Sequence, residues 1–231
     1  MGLTVKLIAH TTRAERVVAA AAKLCYSASP VRELFDGLDD DGIGGFLAKL
    51  RDSGHVSPFE HAGFTFAVEG VSRVATHQLV RHRIASFSQR SQRYVAMKGA
   101  ACVVPPEISQ NDEAARVFAE SLAASRAAYE KLSALGIPRE DARFILPHGV
   151  ETSVIVTMNA RELLHFFGLR LCRGAQWEIR NVARAMLSLA AAEAPGLFAD
   201  AGPSCVRGAC AERRKSCGKP YKNTKEVLED K

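Results

Sequence analysis

Residues 64–94 read FTFAVEGVSRVATHQLVRHRIASFSQRSQRY, and the spacing of their apolar residues changes twice. Phe64, Phe66 and Val68 alternate with Thr65, Ala67 and Glu69, which predicts a half-buried strand. Val71, Val74, Ala75 and Leu79 then recur at helical spacing. On that helix His77 and Arg81 stand four apart, as do Gln78 and His82, so these four are predicted to share one side. From Arg83 onward Ser and Gln dominate, and the expectation is loop or irregular backbone. Strand, helix and polar loop in direct succession argue for a mixed α+β fold rather than a regular alternating sheet.

Working outward, Leu3, Val5 and Leu7 predict a short first strand. Thr12 with Glu15 has the form of a capping box opening a helix through Val17, Ala21 and Leu24. Ser27–Asp41 reads as loop, and Gly45–Ser53 as a short helix closed by Gly54. Gly42-Ile43-Gly44-Gly45 is not a dinucleotide fingerprint, because Leu47 occupies the third small position and no strand precedes it. Asn111 is placed to cap a long helix with Phe118, Leu122, Tyr129 and Leu132 as its buried stripe. Glu140–Leu146 reads as a short helix and Ser153–Thr157 as a β-branched strand. Asn159 with Glu162 opens a helix to about Cys172, and Gln176–Ala194 is another. The expectation is a single mixed domain over residues 1–200, with a central antiparallel or mixed sheet flanked by helices, and a basic C-terminal tail over 201–231.

The charge pattern sharpens the central stretch. Between Glu69 and Glu107 there is no Asp or Glu, while Arg73, Arg81, Arg83, Arg90, Arg93 and Lys98 all fall there. Like charges repel, so a fold that gathers them implies an anionic partner. Arginine offers a planar fork of donors for phosphate or carboxylate. Each charge-assisted hydrogen bond contributes about 1.5–3 kcal/mol, against about 0–1 for an exposed ion pair.

The net charge is +6 in 231 residues, with 47% hydrophobic composition, which suits one sizeable domain. No apolar run is long enough to span a membrane, and Met1–Ala9 lacks a signal layout, so the expected location is the cytoplasm. Six cysteines without a paired framework imply reduced thiols. Cys205, Cys210 and Cys217 offer three zinc ligands, but their spacings do not match a CxxC knuckle and no fourth ligand is evident. No metal site is therefore expected.

The chemistry open to these residues is narrow. Ser86, Ser88 and Ser91 lie near His82 in sequence, yet there is no Gly-x-Ser-x-Gly elbow, and surrounding arginines oppose proton uptake by the histidine. Carboxylates are scarce near the basic stretch. Many fixed donors and few bases suit polyanion binding, with the reactive group brought by a cofactor.

Four ordered blocks carry a family resemblance. Arg81-His82-Arg83, seven residues, then Ser91 resembles the signature of the flavin-dependent thymidylate synthases. His55-Val56-Ser57-Pro58-Phe59-Glu60-His61 resembles that family's His-x-x-Pro-Phe-Glu-His turn. Pro138–Arg143 with Leu146-Pro147, and Asn159-Ala160-Arg161 with Leu169-Arg170 and Ala175–Ile179, resemble two further blocks. The resemblance spans about residues 12–195.

What the resemblance implies is a homotetramer whose active sites are shared between subunits. It implies FAD reduced by NADPH, 5,10-methylenetetrahydrofolate as one-carbon donor and co-substrate, and dUMP converted to dTMP with tetrahydrofolate released. Ser57, Arg81, His82, Arg83, Gln89, Asn159, Ala160, Arg161 and His165 would contact FAD. Gln78, Leu79, Val80, Arg81, Gln89, Arg90, Ser91, Gln92, Arg93, Arg143 and Arg170 would hold dUMP. Arg170 matches the arginine that stabilises the ionised uracil ring, acting by charge and hydrogen bonding. Gln89 stands where some members have Glu, and His165 where others have Asn. The alternative is a single-stranded nucleic-acid-binding module that uses the same arginines, with Phe87 and Tyr94 for base stacking.

Overall fold

A computed structural model describes residues 2–230. Four strands, β1 (Thr4–His10), β2 (Gly63–Ser72), β3 (Ala85–Gln89) and β4 (Glu151–Asn159), make one antiparallel sheet in the order β1-β2-β4-β3. The helices are α1 (Ala14–Leu24), α2 (Val31–Asp36), α3 (Asp40–Asp52), α4 (Arg73–Leu79), α5 (Pro106–Ser109), α6 (Asp112–Ala134), α7 (Arg139–Ala142), α8 (Ala160–Arg170), α9 (Trp177–Glu193), α10 (Pro195–Phe198) and α11 (Thr224–Glu229). The predicted α+β class is observed. The chain forms two compact units, and its strands pass from one to the other.

The first unit holds the chain up to Thr4 together with Val68–Arg81 and Ser88–Ile155. Its core joins Met97, Tyr129, Ala142, Leu146 and Val150. Met97 N–H donates to the Tyr129 hydroxyl at 3.2 Å in a buried bond. Asn111 caps α6 by accepting from Ala114 N–H at 3.0 Å, as predicted. The predicted stripe on α6 is only partly realised. Tyr129 is buried, whereas Phe118, Leu122 and Leu132 are half-buried.

The second unit holds Val5–Ala67, His82–Phe87 and the chain from Val156 onward. Phe64 and Phe66 of β2 are fully buried, as are Leu163, Phe166 and Phe167 of α8 and Val182, Met186 and Leu187 of α9. The Phe198 ring meets Phe64 and Phe167 edge-on, with centroids 5.4 and 5.9 Å apart. Complete burial of each such side chain contributes about 1.5–3 kcal/mol. Asn159 caps α8 through Glu162 N–H at 2.9 Å, and Gln176 caps α9 through the N–H groups of Glu178 and Ile179.

Several local expectations are corrected. The Thr12–Glu15 box does not form: Arg13 precedes α1 at φ 52° with no side-chain cap, and Glu15 accepts instead from Gly196 N–H. Helix α3 begins at Asp40, ahead of its glycines, because the Asp39 carboxylate accepts from Asp41 N–H. The stretch expected to be loop contains α2. Helix α4 ends at Leu79, so Arg81 and His82 lie beyond it and the predicted shared side does not exist. The Ser/Gln stretch after Arg83 contains β3, an edge strand, and Arg90 N–H continues the pairing to Ser153 C=O at 2.9 Å. Half-buried Ala85 and Phe87 alternate with exposed Ser86 and Ser88, a short alternation that the surrounding polar residues mask. The predicted Glu140–Leu146 helix is split into α7 and a 3-10 turn, Arg143–Ile145. The C-terminal segment is anchored at its far end, where Tyr221 and Val227 are 2% and 1% exposed.

Candidate functional site

The second unit places a polar chain inside an apolar setting. Helix α8 presents Glu162 in its first turn and Arg170 in its last. His82 lies between them. Arg170 Nε donates to His82 Nε2 at 3.1 Å, and His82 Nδ1 lies 3.2 Å from Glu162 Oε1. A guanidinium can only donate, so Nε2 is the unprotonated nitrogen and Nδ1 carries the proton toward Glu162. His82 is 4% exposed and Glu162 6%. Burial, then the Arg170 charge, then His165 push the His82 pKa down to about 4. Burial raises Glu162 despite the opposing effect of His165. His82 is therefore neutral at pH 7, and its contact with Glu162 is a hydrogen bond rather than an ion pair. Phe166 and His165 pack edge-on against the His82 ring, at 4.9 and 5.6 Å. Burial also lowers the Arg170 pKa, but a guanidinium stays a cation.

The remaining flavin candidates of this unit surround that chain in sequence and differ in engagement. Asn159 spends its carbonyl oxygen on the α8 cap, and Ala160 N–H donates to Ala62 C=O at 2.7 Å. Arg161 pairs with Glu60 in the 3-10 turn Ser57–His61, both half-exposed. Ser57, Arg83 and His165 are exposed.

The first unit gathers most of the nucleotide candidates. A cavity of about 250 Å³ is lined by Arg73, Thr76, His77, Val80, Gln89 and His148. Gln89 is fixed by donating to Thr76 Oγ1 at 3.0 Å and Thr152 Oγ1 at 3.4 Å. Burial and the neighbouring Arg143 charge lower the Arg73 pKa. Arg73 Nη1 is buried without a hydrogen-bond partner. A strained pair of cations with an orphan donor favours an anion. Arg73 belongs to the acid-free run of charges, but no local sequence pattern assigns it a site. Only its closeness to Arg143, seventy residues on in the chain, marks it out.

The other candidates of this unit are placed as follows. Leu79 is buried, Val80 exposed, and Gln78 half-buried. Arg81 and Arg90 are exposed, and Gln92 is 7% exposed. Ser91 Oγ accepts from Arg93 N–H at 3.2 Å, which is the work of a turn residue. Arg93 donates to Glu140 at 2.8 Å, and Arg143 Nε donates to the Glu140 carbonyl at 3.1 Å. The acid-free window of the sequence is thus not acid-free in space.

Among the described residues, His82, Glu162 and His165 are the one group of ligating atoms mutually within 4.8 Å. Arg170 points its donor at the same ring, which disfavours a cation there. No helix among the described residues is long and apolar enough to cross a membrane.

The chain is similar to known proteins along most of its length. The family model described as thymidylate synthase complementing protein matches residues 6–196. A flavin-dependent thymidylate synthase of Geobacter sulfurreducens is 50% identical over 219 residues, covering 94% of each chain. One from Clostridium tetani is 48% identical, covering 95% of this chain and 94% of that one. A crystal structure of a UMP/dUMP methylase, PolB from Streptomyces cacaoi, bound with 5-Br dUMP, aligns with a TM-score of 0.76 at 28% identity. That alignment covers 84% of this chain and 92% of the methylase.

Proposed function

The chain belongs to the flavin-dependent thymidylate synthase family, and from that premise we propose how its own residues divide the work on dUMP. The reaction is reductive methylation of dUMP to dTMP, with 5,10-methylenetetrahydrofolate as carbon donor, NADPH as reductant and tetrahydrofolate as co-product. The flavin is FAD, and when bound and reduced it supplies the hydride. Exposed Arg81 and Arg83 offer donors that fit its diphosphate, with Ser57, His82, Gln89, Asn159, Ala160, Arg161 and His165 as its further contacts. Gln78, Leu79, Val80, Arg81, Gln89, Arg90, Ser91, Gln92, Arg93 and Arg143 hold the nucleotide, and Arg73 joins them because of its orphan donor. The bromo-nucleotide in the PolB structure supports a pyrimidine monophosphate as ligand.

Arg170 meets the uracil ring. Its positive charge stabilises the ring anion that makes C5 nucleophilic, an electrostatic role that needs a cation fixed in place. The observation that carries this reading is the Arg170–His82–Glu162 chain, whose histidine and carboxyl group are buried. A neutral His82 accepts from Arg170 and orients it without adding a second positive charge. Ser91 binds rather than attacks, since its hydroxyl serves the turn at Arg93.

Assembly is a homotetramer in the cytoplasm with shared active sites, and nucleic acid is not a partner. Phe144, Tyr94 and Ile84 support association, being 84%, 73% and 70% exposed. The test is dTMP formation from dUMP, methylenetetrahydrofolate and NADPH by the yellow purified protein. Arg170→Ala keeps its flavin absorbance and loses dTMP formation. A colourless protein that takes up no FAD, or wild-type turnover in Arg170→Ala, refutes the reading.

A further inference from the structure

Cys172 lies just past the end of α8, and Cys205, Cys210 and Cys217 lie in the C-terminal segment. All four line one cavity of about 210 Å³ within the second unit, and all are free thiols. The sequence offered only three of them in succession. The fold supplies the fourth. We propose that these four cysteines form a thiolate metal centre that orders the segment between Gly202 and Tyr221.

The first argument is what else holds that segment. From Ser204 to Pro220 no residue is buried. Nevertheless the backbone takes two 3-10 turns, Ser204–Val206 and Arg213–Lys215, with Arg213, Gly208 and Gly218 all at positive φ. A run with no core of its own needs a staple, and metal ligation supplies folding energy in such cases. The ends are already clamped. At the entrance, Gly202 has φ +149°, and a Cβ there would lie 2.9 Å from Val206 Cγ2. At the exit, Tyr221 stacks on the Arg173 guanidinium at 4.3 Å and donates its hydroxyl to Asp230. Burial, that hydrogen bond and the Asp230 charge push the Tyr221 pKa up to about 12, so the donor persists. Arg184 Nε donates to Val227 C=O at 3.1 Å beside it. Between these clamps the thiols face one space.

The second argument is charge. Arg173, Arg207 and Lys219 line the same cavity. Arg173 Nε is buried without a hydrogen-bond partner. Four thiolates on a divalent ion carry a net negative charge that these cations offset. A thiolate sulfur is an acceptor for the Arg173 donor.

Four thiolates suit zinc or an iron–sulfur cluster. On binding, each thiol gives up its proton and forms one sulfur–metal bond, with no change of oxidation state for zinc. No three of the sulfurs now lie within 4.8 Å of one another. Zinc would draw the loop inward to bonds of about 2.3 Å, whereas a larger iron–sulfide unit spans a wider ring.

The test uses the full chain, reduced and anaerobic. Zn²⁺ alone is titrated against a chromophoric chelator, and in a second arm ferrous iron with inorganic sulfide is supplied. Metal and acid-labile sulfide are then counted. The expected result is one metal centre per chain in one arm, which also identifies the metal. Cys172→Ser and Cys210→Ser each lose stoichiometric binding, and Cys25→Ser, in an exposed thiol elsewhere, keeps it. Trypsin provides a second readout at Arg207, Arg213 and Lys215, with metal slowing cleavage only where the four cysteines are intact. Failure to bind in both arms, binding undiminished in both serine variants, or a disulfide among the four would each overturn the proposal.

Discussion

Replacing His82 by glutamine isolates the titration of the Arg170–His82–Glu162 chain. Glutamine has one acceptor and one donor end, so it can keep a bond to each neighbour while losing the ability to take a proton. In the folded protein the histidine pKa lies at about 4, against an ordinary value of 6.5. The folded value is the lower one, so the unfolded chain takes the proton first as pH falls. The stability due to neutral His82 is therefore complete above pH 6.5 and is lost as pH falls toward 4. The loss is about 1.4 kcal/mol per pH unit in that window, or about 2 kcal/mol between pH 7 and pH 5. Glu162 is shifted upward and works in the opposite direction, but it is present in both proteins and is removed by subtraction. The assay is denaturant unfolding of flavin-stripped wild type and His82→Gln at one protein concentration, because ligand and association both shift apparent stability. The difference in unfolding free energy should shrink by about 2 kcal/mol across the two pH values. A difference that stays constant would refute the neutral, sandwiched histidine.

Three more outcomes follow from the first unit. Arg73→Ala should raise the KM for dUMP by roughly 10- to 100-fold, the worth of one charge-assisted hydrogen bond, with flavin content unchanged. An unchanged KM would remove Arg73 from the nucleotide site. Tyr129→Phe should cost about 1–3 kcal/mol of stability, because it strands the buried Met97 N–H, and urea unfolding reads it directly. Ser91→Ala should retain measurable turnover with some rise in KM, and complete loss of turnover with dUMP still bound would restore a nucleophilic serine.

The fold and site were legible to different depths. The strand at Phe64–Val68 and the caps Asn111 and Asn159 could be read directly, since alternation and cap chemistry act between near neighbours. Strand β3 was not, because its alternation is limited to Ala85 and Phe87 among serines and a glutamine, and its pairing lies with β4, more than sixty residues away. Glu15 illustrates the same limit: its local pattern offered a cap, and a distant backbone N–H at Gly196 captured it.

By itself, the sequence determined where the uncompensated run of basic residues lies and the family to which the ordered blocks belong. Only tertiary structure decided which charges are compensated and which are not. Glu162 meets His82 across 80 positions, Glu140 meets Arg93 across 47, and Cys172 joins three cysteines of the C-terminal segment. Proton affinity and metal affinity depend on atoms within a few ångströms in space, and local sequence patterns do not record that distance.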